Sequence, residues 1–164
     1  MTHGGRLARA LIPLAVAVLA LAACSAAVAA PAKFLVVPGV GIGPVGVGDT
    51  RGELESKVGK PEREGGIMAY TVRSGTRSGV VKVLFDGDRA ENVFTVDPAF
   101  AYRGVHVGDD AGLATATLRA NGFLSGRCGP ARALYSRDER TMFGLYRGAV
   151  EHIFVVRDAG ACHS

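Results

Sequence analysis

The sequence predicts an α+β domain: two tandem units, each a helix followed by a three-stranded meander, forming an antiparallel sheet with both helices on one face. Two doubled phrases and their common phase predict it. Val45-Gly46-Val47-Gly48-Asp49 returns as Val105-His106-Val107-Gly108-Asp109, and Gly52 returns as Gly112. Leu84-Phe85-Asp86-Gly87, followed by Val93-Phe94-Thr95-Val96, matches Leu145-Tyr146-Arg147-Gly148, followed by Ile153-Phe154-Val155-Val156. Val47 and Leu84 are 37 residues apart, Val107 and Leu145 38. A fixed internal period marks a duplicated supersecondary unit. Repeat one is placed at 45–100 and repeat two at 105–158. Units of about 60 residues bury too little surface to stand alone, so the two are expected to share one core.

Each unit opens on a helix signal. Thr50 and Glu53 form a capping box, each side chain placed to satisfy the other's orphan amide. Leu54 and Val58 share one helix face, and Glu53 and Lys57 stand at the favourable i, i+4 spacing. Gly59 and Pro61 end that helix. In the second unit Asp109 or Asp110 caps a helix through Ala120, which Asn121-Gly122 ends. Gly52 and Gly112 are expected to let each helix start lie close on the sheet. Strands are expected at 67–72, 80–85 and 92–96, then at 131–136, 141–146 and 150–156. Asp86-Gly87 and Arg147-Gly148 supply the turns of the last hairpins.

Ahead of the repeats, residues 1–23 have the layout of an export signal. Arg6 and Arg9 precede an apolar stretch from Leu11 to Ala22, and small residues follow. Leu21-Ala22-Ala23-Cys24 resembles a bacterial lipobox, which implies lipidation of Cys24 as the mature N-terminus. Three other readings remain open, one of them that Cys24 is an ordinary small apolar residue of the leader. Ala27-Val28-Ala29 is an A-x-A site that would release a soluble product, and the uncharged run from Ala10 to Ala32 is long enough to stay as an uncut anchor. Residues 24–38 read as a tether, and 39–164 as the folded body. Cys128 and Cys162 remain as an even pair in an oxidising compartment, where a bridge would contribute about 3–4 kcal/mol. Two unpaired thiols are the alternative.

Charge and motifs exclude several functions. The net charge of +4 rests partly on the two leader arginines, and no basic run or basic–aromatic interleaving offers a nucleic-acid surface. Gly41, Gly43 and Gly46 satisfy G-x-G-x-x-G, but Pro44 interrupts the loop and no parallel crossover follows. The stretch is expected to be a flexible entry loop. Asp86, Asp88 and Glu91 lack the ligand order of a calcium loop, and Gly75-Thr76-Arg77-Ser78-Gly79 has the wrong spacing for a nucleophile elbow. No catalytic residue, cofactor site or metal site is expected. The candidate partner contacts are aromatic and arginine residues: Tyr70, Phe100, Tyr102, Arg103 and Tyr135.

A leader with a lipobox, then V-x-V-G-D-x-x-x-E-L, a Gly-Pro break and a β-meander, resembles two groups of exported proteins. One is the beta-lactamase inhibitory protein-like group; the other is the BamE (SmpA/OmlA) outer-membrane lipoproteins. The resemblance covers about residues 40 to 158, and this chain has no tryptophan. The first group implies inhibition of a secreted enzyme through a concave sheet, the second a scaffold role in membrane-protein assembly. The expectation is a non-catalytic, exported, lipid-anchored envelope protein that binds another envelope or secreted protein. A secreted inhibitor of an extracellular enzyme, such as a beta-lactamase or a protease, is the alternative.

Overall fold

The computed structural model describes residues 33–160. The leader, Cys24 and Cys162 lie outside the described residues. The glycine-rich entry is a small antiparallel sheet of β1 (Val36–Val37), β2 (Gly41–Ile42) and β3 (Val45–Gly46). Gly39 and Gly43 take φ of +69° and +59° at its turns. Gly41 must be glycine because a Cβ there would overlap the Val45 carbonyl oxygen. The flexible loop expected here is therefore an ordered, tightly turned meander. Phe34, Val36, Ile42 and Val45 all lie in the core, so the folded body reaches back into the residues read as tether.

Next come α1 (Arg51–Val58), β4 (Glu62–Glu64), β5 (Ile67–Ser74), β6 (Arg77–Asp86) and β7 (Arg89–Thr95). A short hairpin of β8 (Ala101–Tyr102) and β9 (Val105–His106) leads to α2 (Ala111–Ala120). Four more strands follow: β10 (Leu124–Cys128), β11 (Ala131–Tyr135), β12 (Thr141–Tyr146) and β13 (Ala149–Val156). These four and β4–β7 form one antiparallel sheet in the order β10-β11-β12-β13-β7-β6-β5-β4.

The expected fold class is corrected by this arrangement. The chain is mostly β, built on an eight-stranded sheet, and does not follow the plan of two α+β units with three-stranded meanders. Four strands of the large sheet, not three, follow each helix. The additional ones, β4 and β10, are edge strands whose residues are almost all exposed. An edge strand with no buried face carries no apolar alternation to read. The helices are short, burying only Leu54 from α1, and Ala114 and Leu118 from α2. Eight residues are too few for a helix to persist unless it packs on something. The capping box of α1 is present, and the Thr50 amide and hydroxyl hold the Glu53 carboxyl below its ordinary pKa. At α2 the cap is Asp110, which accepts from the Gly112 and Leu113 amides. The close approach expected of Gly52 is not there, since a Cβ on it would meet nothing within 4 Å.

The doubled V-x-V-G-D phrase has a definite task. In the first copy the Asp49 carboxylate accepts from the Gly46 amide at 2.8 Å; in the second Asp109 accepts from His106 at 2.7 Å. Gly48 and Asp49 then exchange backbone hydrogen bonds with Ala90 of β7, and Gly108 and Asp109 do the same with Val150 of β13. Each phrase thus stitches the segment before a helix onto the start of a central strand. One sheet face packs on the helices: Tyr70, Val72, Val81, Val83, Val93, Phe143, Ile153 and Val155 share a core with Leu54, Ala114 and Leu118. The buried hydroxyls of Thr95, Ser136 and Thr141 are all hydrogen-bonded.

Candidate functional site

Side chains alternate across a strand, so the residues between the core positions point to the opposite, helix-free face. Cross-strand pairing aligns them in one row. Ala69 of β5 faces Lys82 of β6, then follow Phe94 of β7, Phe154 of β13, Met142 of β12, Tyr135 of β11 and Leu124 of β10. A solvated sheet face ordinarily carries polar residues. This one carries two phenylalanines, a methionine, a tyrosine and a leucine in consecutive places.

Its centre is the pair Phe94 and Phe154. They are direct register partners, and their rings stack at 4.8 Å with an interplanar angle of 11°. His152 meets Phe154 edge-on at 5.0 Å and 89°. Its imidazole occupies the space above Gly144, where a Cβ would overlap the ring. Burial pushes the His152 pKa below its ordinary value, while the Glu151 carboxylate, 3.6 Å from Nδ1, partly opposes the shift. At neutral pH the ring is therefore uncharged. Tyr135 lies over Gly126, and its hydroxyl donates to the Arg127 carbonyl oxygen at 2.7 Å. At the other end of the row, Lys82 pairs with Glu64 of β4 at 2.7 Å.

Between these groups lies a cavity of about 360 Å³. Tyr135, Met142, His152, Phe154 and Val156 line it, with Asn92, Glu139 and Arg140 at polar positions. Cys128 and Gly160 reach its margin.

The residues named from sequence do not gather here. Tyr70 and Phe100 are buried in the core at 1% and 0% exposure, so neither can meet a partner. Tyr102 packs half-buried against Phe123 and Phe143 on the core side. Arg103 is exposed at the β8–β9 turn, where its φ is +51°. Of the five, only Tyr135 lies in the open-face row. Phe94, Met142, His152 and Phe154 were missed, although the sequence held a signal: Val-Phe-Thr-Val and Ile-Phe-Val-Val are apolar at both parities. A strand with one solvated face should alternate. Cys128 is half-buried at the end of β10.

Among the described residues no helix is long and apolar enough to cross a membrane. No protein-family model matches the chain, and no curated protein matches it. Among solved structures, an extracellular protein containing a SCP domain from Bacillus anthracis is similar at 11% identity and a TM-score of 0.43. The alignment covers 68% of this chain and 44% of that one, so this chain spans less than half the length of that protein.

Proposed function

We propose that the chain is an exported, lipid-anchored envelope protein that performs no chemistry and binds another protein through the open face of its sheet. One observation carries the reading: the helix-free face displays a continuous aromatic and aliphatic row, from Phe94 through Phe154, Met142 and Tyr135 to Leu124, which is 59% exposed. Aromatic side chains held rigidly in a row supply contact area at small entropic cost, which is the composition of binding hot spots. Export and lipidation rest on the leader and on Leu21-Ala22-Ala23-Cys24. A Cys128–Cys162 bridge fits that compartment; Cys128 already has an interaction partner, and Gly160 lies beside the same cavity.

A photo-reactive residue at Leu124 on the open face, compared with one at Leu113 on α2, tests the binding surface in intact cells. The two positions are 59% and 74% exposed, so the crosslinker is accessible at both. A discrete crosslinked protein from Leu124 and none from Leu113 is the expected result; equal or absent crosslinking at Leu124 refutes it. Mass spectrometry of the mature N-terminus separates acylated Cys24 from a soluble product beginning at Ala30, the form an extracellular inhibitor would take.

A further inference from the structure

The cavity on the open face is more elaborate than a flat docking surface requires. Its volume, about 360 Å³, falls within the roughly 300–1,000 Å³ of small-molecule sites. Met142, Phe154 and Val156 give it apolar surfaces, and Phe154 is held in plane by its stack on Phe94. Two rings, Tyr135 and His152, stand over strand glycines, Gly126 and Gly144, that leave room for them. A glycine inside a strand forgoes packing and loses about 0.5–1 kcal/mol against alanine. The sheet accepts that loss twice, once under each ring. Tyr135 is further fixed by its hydrogen bond to Arg127. The charges nearby cancel: Glu139 and Arg140 are of opposite sign, and the Arg140 Nε donates to the Val156 carbonyl oxygen.

We propose that this cavity binds an uncharged, planar aromatic molecule of one or two fused rings, seated over Met142 between Phe154 and Tyr135. Stacked and edge-on ring contacts at 4.5–7 Å would hold it, each worth about 0.5–1.5 kcal/mol beyond the area buried. The balanced charges at Glu139 and Arg140 disfavour an ionic occupant. This inference shares Tyr135, Met142 and Phe154 with the protein-binding reading, and the titration below tests it separately from the crosslinking experiment.

Titration of the mature protein with 1-naphthol, followed by NMR, tests it. Saturable shifts centred on the Met142 methyl and on the Tyr135 and Phe154 rings are expected, together with weaker binding of n-octanol. No saturable shift, shifts centred on α2, or equal affinity for n-octanol would overturn it. Met142→Trp fills the cavity and should weaken 1-naphthol at least tenfold; unchanged affinity in the folded variant also overturns the proposal. Should that variant fail to fold, the wild-type shift map decides alone.

Discussion

Phe94 and Phe154 face each other across the junction of β7 and β13, with their rings 4.8 Å apart and 11° from parallel. They are the second residues of the two matching phrases Val-Phe-Thr-Val and Ile-Phe-Val-Val. Their neighbours Val93, Thr95, Ile153 and Val155 point the other way, into the core. The same pair of strands therefore builds both the hydrophobic interior and the centre of the half-buried apolar row on the helix-free face. Substitution of either phenylalanine by alanine should leave the fold intact while removing the stack, worth about 0.5–1.5 kcal/mol beyond area burial. Urea midpoints of the single and double variants measure the coupling, and strictly additive losses would show that the stack contributes nothing.

Gly144→Ala tests the seat of His152. The added methyl overlaps the imidazole and must displace it or the strand. Overpacking of this kind costs about 1–3 kcal/mol, read from urea denaturation. Gly52→Ala is the control, because nothing lies within 4 Å of a Cβ there; it should stabilise α1 by about 0.5–1 kcal/mol.

His152 also sets a pH dependence. Its folded pKa is lowered, so the unfolded chain binds the proton more readily than the folded one. Its share of stability is fully present above the unfolded pKa of about 6.5 and falls as pH drops from there towards the lower folded value. Glu53 and Asp138 have depressed carboxyl pKa values, so their contributions are lost only at more acid pH. Stability measured from pH 7.5 to 5 should decline in wild type and decline less in His152→Gln. Identical slopes for the two would contradict the assignment.

Asp109→Ala should loosen the turn before α2 while leaving its backbone hydrogen bonds to Val150 of β13 in place. It leaves the His106 amide without its carboxylate acceptor, a loss of about 1.5–3 kcal/mol for a hydrogen bond to a charged group. Asp109→Asn keeps an acceptor oxygen and should lose less than half as much in the same denaturation experiment.

Much of the local architecture was legible because it depends on short-range chemistry. Thr50 and Glu53 announced their capping box, and Arg147-Gly148 marked a hairpin turn where both residues do take positive φ. The six strands of the large sheet that have a buried face were readable from their apolar residues. The edges were not. Glu62–Glu64 is exposed at every position, and Leu124–Cys128 at all but the last, so neither has a hydrophobic period to betray it. The entry sheet was hidden for a different reason. Its glycines were read as flexibility, whereas Gly39, Gly41 and Gly43 serve turns and a close backbone contact. The candidate site was misplaced because aromatic identity says nothing about which face a strand residue occupies. Tyr70 and Phe100 went to the core, and Phe94 and Phe154 to the half-buried row of the helix-free face, by strand parity and packing alone.

The most direct test is the affinity of the protein captured by the Leu124 crosslink for wild type and for Phe154→Ala. At least a tenfold weakening, about 1.4 kcal/mol, is expected for Phe154→Ala, with Leu113→Ala on α2 unchanged. Unaltered affinity in a folded Phe154→Ala protein, or an equal loss in Leu113→Ala, would contradict binding through the open face.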